Sequence, residues 1–186
     1  MPKIKISILS LIVIPIVLLD PQGELAATVI AAFIHELGHL AVILLCGLGV
    51  TELGVTPYGL EIITARRYRS FIEELAVYCA GCTVNFITFF LLSPYGGFAF
   101  SLARASLLLG TLNALPVVTL DGGESLHALL SILLPFRLAE RISHLLSFIT
   151  LVIMWTFAAY IFLFSGYNYS LFIMSVWLFG KIYCQS

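Results

Sequence analysis

The sequence is poor in charge. Of its 186 residues only 10% are Asp, Glu, Lys or Arg, against about 25% in an ordinary soluble domain. Apolar residues make up 61%. A soluble domain of this length leaves roughly a third of its chain area wet, and the polar side chains here are too few to cover that area. The mean hydropathy of +1.09 agrees. A soluble globular domain is excluded, and the expectation is a single integral membrane domain over residues 1–186. An excess of positive charge is also missing. Nine Lys and Arg against ten Asp and Glu give a net charge of −1, so no nucleic acid is expected as a partner. Cysteine is scarce and unsuited to a disulfide framework, because Cys46, Cys79, Cys82 and Cys184 all lie in apolar stretches. Lys3 and Lys5 precede an apolar run, but no small-residue cleavage site follows before Asp20-Pro21, which argues against a cleaved secretory signal. Internal repeats and low-complexity segments are absent from the sequence.

Long hydrophobic runs take their place. A bilayer core needs about 20 apolar residues per helix, fewer where a helix is buried in a bundle. Six runs qualify: Ile6–Leu19, Ala26–Cys46, Leu75–Leu92, Phe98–Leu120, Ser143–Phe164 and Tyr169–Tyr183. The turns Ser93-Pro94-Tyr95-Gly96-Gly97 and Ser165-Gly166-Tyr167-Asn168 separate neighbouring runs. Lys3, Lys5, Arg66, Arg67, Arg69, Arg137, Arg141 and Lys181 fall on one side of this layout, which puts both termini in the cytoplasm of a multi-pass cell-membrane protein. Arg104 falls near the outer end of the fourth run and must snorkel or pair. Gly49–Thr64, rich in Val, Thr and Ile around Pro57-Tyr58-Gly59, reads as two short strands and a turn. Ser125–Leu134, ended by Pro135, reads as a short helix. The fold class is therefore an all-α membrane protein, a six-helix bundle with a small β-hairpin-like segment at about 49–64.

The second run carries charges that a membrane span avoids. His35-Glu36-Leu37-Gly38-His39 is an H-E-x-x-H pattern inside a hydrophobic helix. On a helix, positions four apart rise about 6 Å and share one face, so both imidazoles can reach one metal ion. On a strand they would lie about 13 Å apart. Glu36, next to the first His, can reach a water on the metal rather than the metal itself. A charged side chain at mid-bilayer costs about 2.5–3.5 kcal/mol on insertion scales, and a structural zinc ion returns on the order of 10 kcal/mol. Two His leave a catalytic site one ligand short. Asp121, Glu124, His127 and His144 are the candidates. Asp121 stands out because it ends a long apolar run before Gly122-Gly123, glycines that let the backbone leave a helix at membrane depth. Cys79-x-x-Cys82, one turn apart in the third run, reads as small-residue helix packing.

Three motifs then coincide in order: His35-Glu36-Leu37-Gly38-His39, Ala80-Gly81-Cys82-Thr83-Val84-Asn85, and Asn113-Ala114-Leu115-Pro116 running into Leu120-Asp121-Gly122-Gly123. Together they resemble the site-2 protease family of intramembrane zinc metalloproteases, and the layout looks most like its bacterial sporulation-type branch without a tail domain. The resemblance is close over about residues 25–125, the expected catalytic core. It implies that His35, His39 and Asp121 bind one zinc ion per chain, that Glu36 is the catalytic base, and that Asn85 and Asn113 lie beside the site and hold substrate or shape the cleft. The chain departs from the family pattern at Cys82, where Pro is frequent, and at Val118-Thr119, which lacks the second Pro. The implied activity is hydrolysis of a peptide bond in or near a transmembrane helix by zinc-activated water, with Glu36 taking its proton. The implied partners are a transmembrane or membrane-tethered protein substrate, a membrane regulator and the lipid bilayer. The rival reading is a non-catalytic zinc-binding membrane protein, a transporter or an inactive scaffold, in which Glu36 has no task.

Overall fold

The computed structural model describes residues 3–6, 20–56, 59–64, 70–165 and 170–183. The chain forms two compact units, Met1–Asn113 and Ala114–Ser186.

The first unit runs β1 (Lys3–Ile6), α1 (Glu24–Leu45), β2 (Val50–Thr56), β3 (Gly59–Thr64), α2 (Phe71–Leu92) and α3 (Phe98–Asn113). Helix α1 begins where the Asp20 carboxylate accepts the Gln22 and Leu25 backbone N–H groups at 3.1 and 2.7 Å. The Leu25 N–H is one of the donors that the first turn leaves without helical partners. The helix ends at Gly47, whose φ of 62° suits only glycine without strain. There the Leu48 N–H donates to the Ile43 carbonyl at 3.1 Å, a Schellman-type stop. Helix α2 starts at Ser70, whose hydroxyl accepts the Glu73 N–H at 3.3 Å.

The three helices pack pairwise along a face of small residues. Helix α1 buries Ala27, Ala31, His35, Gly38, His39 and Ile43, α2 buries Val77, Ala80, Gly81, Cys82 and Asn85, and α3 buries Ala103, Ser106 and Gly110. Small side chains bring helix backbones close, the usual way of packing helices in lipid. A methyl group at Gly38 would stand 2.8 Å from the Ala80 carbonyl oxygen. The opposite faces expose large apolar groups, among them Phe33, Leu45, Ile72 and Phe90. Arg104, expected to snorkel or pair, pairs: its guanidinium meets Glu24 at 2.6 Å, and the Ser101 hydroxyl donates to the same oxygen at 2.8 Å.

Strands β2 and β3 form the expected antiparallel hairpin, Val50 opposite Thr64 through Thr56 opposite Gly59, with a bulge between Val50 and Glu52. Its Pro57-Tyr58 tip lies outside the described residues. Strand β1, which the hydropathy reading did not anticipate, pairs in parallel with β2, so the sheet has three strands in the order β1-β2-β3. Ile62 and Val50 from the hairpin pack on Ile43, Leu48 and Val77, the apolar core of this unit.

The second unit runs α4 (Asp121–Leu133), α5 (Phe136–Ser165) and α6 (Ser170–Tyr183), preceded by a non-helical segment 114–120. Its core gathers Val117, Leu151, Met154 and Leu178.

Three helices among the described residues are long and apolar enough to cross a membrane: Glu24–Leu45, Phe71–Leu92 and Phe136–Phe164. With their apolar outer faces, they make the chain a membrane protein. The expected fourth span, Phe98–Leu120, is shorter than the reading: α3 stops at Asn113, because Pro116 has no N–H to donate and disfavours helical backbone at the residue before it. At 16 residues it is about 24 Å long. The sixth expected run is a helix of 14 residues. Of the first, only Ile6 is described, in β1; residues 7–19 lie outside the described residues, as do Arg66, Arg67, Arg69, the turn residues 166–168 and Cys184.

Candidate metal centre

The first unit brings His35, His39 and Asn85 together. His35 and His39 sit four residues apart on the buried face of α1 and are 4% and 9% exposed. Their Nε2 atoms converge to 3.2 Å, with the two rings edge-on and their centroids 4.8 Å apart. Each ring is held from behind through Nδ1. His39 Nδ1 donates to the Val77 carbonyl of α2 at 2.8 Å. Because a carbonyl only accepts, the neutral His39 ring carries its proton on Nδ1 and keeps Nε2 unprotonated. His35 Nδ1 stands 3.1 Å from Asn85 Nδ2.

Space in front of the rings is kept by a glycine. A Cβ at Gly81 would lie 2.5 Å from His39 Nε2 and 2.7 Å from His35 Nε2. Glycine at 81 is thus required by close approach rather than by a special φ. On the other side of Asn85, Gly110 of α3 approaches so closely that its own Cβ would stand 3.1 Å from that of Asn85.

The donor set fits a zinc ion. Two nitrogens bound tetrahedrally at about 2.0–2.1 Å stand about 3.3–3.4 Å apart, and the two Nε2 atoms are 3.2 Å apart. The His39 Nδ1–Val77 bond is the usual support of a metal-binding imidazole, which donates its far N–H to an outer acceptor. Glu36, half-buried, follows His35 on the same helix. Cys82 is a residue whose closeness the sequence reading did not draw out: it is 8% exposed, and its Sγ lies within 4.8 Å of a His35 ring nitrogen. The signal available was its spacing, three residues before Asn85 on the same face of α2.

The remaining expected residues are placed as follows. Asn113, half-buried, is the last residue of α3, and its amide donates to the Leu109 carbonyl at 3.2 Å. Asp121, half-buried, belongs to the second unit and is the first residue of α4. The expectation that Gly122-Gly123 let the chain leave a helix is corrected: both lie inside α4. Their role is close approach, because a methyl group at 122 would overlap the main chain of Ala114 and Leu115, and one at 123 that of Val117 and Val118. The segment pressed against them is tied down by the Val118 N–H, which donates to Ser147 Oγ at 3.2 Å. Glu124, His127 and His144 line a cavity of about 160 Å³ in the second unit, with Glu140 and Phe136. The His127 ring rests edge-on against Phe136.

No protein-family model and no curated protein matches the sequence. Among solved structures, the site-2 protease from Methanocaldococcus jannaschii matches with a TM-score of 0.60 and 22% sequence identity, over 94% of this chain and 86% of that one. The chain therefore has the fold of a site-2 protease.

Proposed function

We propose that this protein is a zinc-dependent intramembrane endopeptidase of the site-2 protease family, cutting a peptide bond in or near a transmembrane helix of a membrane-tethered substrate. The observation that carries the reading is the convergence of His35 and His39 Nε2 to 3.2 Å on a buried, apolar helix. The shared fold supports it. His35 and His39 would hold the metal through Nε2, and Asp121 would complete the set with a carboxylate oxygen. When bound, zinc supplies Lewis acidity, which polarises a peptide carbonyl and acidifies water. Glu36 takes the proton released as water attacks the carbonyl carbon and passes it to the amide nitrogen as the C–N bond breaks. A helical substrate hides its amides, so its scissile segment must unwind. The sheet can receive that segment as an added strand; β2 is paired on both sides, so addition takes place at β1 or β3. The Lys and Arg distribution supports a multi-pass chain with cytoplasmic termini. Asn113, at the end of α3, is proposed to help shape the cleft.

The test uses the full chain, purified in detergent, with a membrane-tethered reporter. Wild type should contain one zinc per chain and cut the reporter, whereas Glu36→Gln should keep the zinc and not cut. Cutting by zinc-free protein, or undiminished cutting by Glu36→Gln, would overturn the reading. One observation favours a non-catalytic zinc protein instead, namely the Cys82 thiol near His35, since closed structural sites use thiolates. A thiolate-to-metal charge-transfer band in the cobalt-substituted protein, lost in Cys82→Ala, would support that second reading.

A further inference from the structure

We propose that Asn85 is a positioning residue for the metal: its amide turns to offer Oδ1 to His35 Nδ1 when metal binds, and so fixes the tautomer that leaves His35 Nε2 free to ligate. This inference rests on the zinc reading above and goes beyond it in giving Asn85 a task other than contact with substrate.

Proton bookkeeping carries the argument. As the side chains stand, the polar groups form one directed chain. Asn85 Nδ2 donates to His35 Nδ1 at 3.1 Å, so the neutral His35 ring carries its proton on Nε2 and donates it to His39 Nε2 at 3.2 Å. His39 in turn donates from Nδ1 to Val77 O at 2.8 Å. Every bond in this chain is satisfied without a metal. A cation between the two Nε2 atoms needs both lone pairs, so the His35 proton must move to Nδ1. There it needs an acceptor, and Nδ2 is none. The amide meets that need by a half-turn about its terminal bond, which exchanges its nitrogen for its oxygen at nearly the same place.

Asn85 suits that task. It is fully buried, so the bond it makes is sheltered from competing water. Its Oδ1 is buried without a hydrogen-bond partner, so bringing the oxygen round to His35 breaks none of its bonds. Gly110 packs so closely on its Cβ that a methyl group at 110 would stand 3.1 Å away, which holds the base of the side chain and leaves the turn of the terminal amide as its adjustable part. The same packing makes Asn85 a poor contact for a substrate chain.

The experiment compares zinc affinity by chelator competition in the full chain for wild type, His35→Ala, Asn85→Asp and Asn85→Leu. It also reads the His35 tautomer from ring 15N chemical shifts in wild type with and without zinc. Asp keeps an acceptor facing Nδ1, whereas Leu has similar volume and none. We expect Asn85→Asp to bind zinc as tightly as wild type or tighter, and Asn85→Leu to bind about 10- to 100-fold more weakly, as losses of outer partners generally do. In wild type the His35 proton should sit on Nε2 without zinc and on Nδ1 with it. Equal affinity in wild type and Asn85→Leu would overturn the inference. Equal weakening in Asp and Leu would also overturn it, since packing alone would then explain Asn85. If Asn85→Leu fails to fold, the wild-type tautomer shift decides: an unchanged proton position on zinc binding refutes the proposal. Zinc binding that His35→Ala leaves intact is a different failure, one that removes the metal reading itself and this inference with it.

Discussion

Adding one methyl group at Gly81 is the sharpest perturbation of the candidate centre. Ordinary van der Waals contact of a Cβ begins near 3.4 Å, and at position 81 it would find His39 Nε2 at 2.5 Å and His35 Nε2 at 2.7 Å. The rings must then retreat by about 0.9 and 0.7 Å, or the helices must part by as much. Metal sites tolerate roughly 0.2 Å in ligand distance, so the required shift exceeds the tolerance about fourfold. Neither ring can swing away cheaply, because His39 is tied to Val77 and His35 to Asn85. Gly81→Ala should weaken zinc binding more than about 100-fold, beyond the range for loss of an outer partner, which is about 2.7 kcal/mol or more. Overpacking should also lower stability by about 1–3 kcal/mol. Gly180→Ala is the control, since a Cβ there meets nothing within 4 Å. Both variants would be purified as full chains, checked for helix content and thermal unfolding, and titrated with zinc against a chelator. Gly81→Ala protein that folds and holds zinc as tightly as Gly180→Ala would refute the idea that the metal lies between the two Nε2 atoms.

Asp121→Ala should lose both cleavage and zinc retention, measured as metal per chain after dialysis; if His127→Ala does this and Asp121→Ala does not, the third ligand is misassigned. Glu36→Gln should lower the cleavage rate by about 10²- to 10⁴-fold with metal content unchanged, which single-turnover assays with zinc analysis will decide. Breaking the half-exposed Glu24–Arg104 pair by Arg104→Met should cost no more than about 1 kcal/mol in a double-mutant cycle with Glu24→Gln; a larger coupling would mean the pair is shielded from water.

The sequence exposed the histidine pair because two independent signals met at one place. Hydrophobic length made 26–46 a helix, and the four-residue spacing of His35 and His39 then placed both rings on one face. The hairpin was legible for a similar reason, since Val, Thr and Ile flank a Pro-Tyr-Gly turn. Arg104 had to snorkel or pair by the cost of a stray charge, but Glu24 lies 80 residues away in sequence, and only packing could choose it. Strand β1 was hidden because four residues, Lys3–Ile6, run into an apolar stretch without a break, and its partner β2 is about 50 positions on. The stop of α3 at Asn113 had a written signal in Pro116, overridden in the reading by the hydrophobicity of Val117, Val118 and Leu120. Asp121 had one as well: Asp121 and Glu124 in the first turn of α4 are the acidic residues that a helix N-terminus favours.

What no periodicity could show is that one missing methyl group does two things at the centre. Gly81 follows Val77 by four residues on α2, and side chains on a helix lean towards its N-terminus. A side chain at 81 would therefore lean over the turn that carries the Val77 carbonyl, the group that accepts the His39 Nδ1 proton at 2.8 Å. The same methyl would fill the space before both Nε2 atoms. Glycine at 81 thus opens the rear support of one imidazole and the front of the pair. Gly38 acts from the facing helix, letting α1 settle against the Ala80 carbonyl, one residue before Gly81. Without that approach the His39–Val77 bond could not close to 2.8 Å. The paired-histidine site is in this sense a property of the helix contact: two glycines, 38 and 81, set the separation of α1 and α2, and that separation lets two imidazoles four residues apart be held from behind and left open in front.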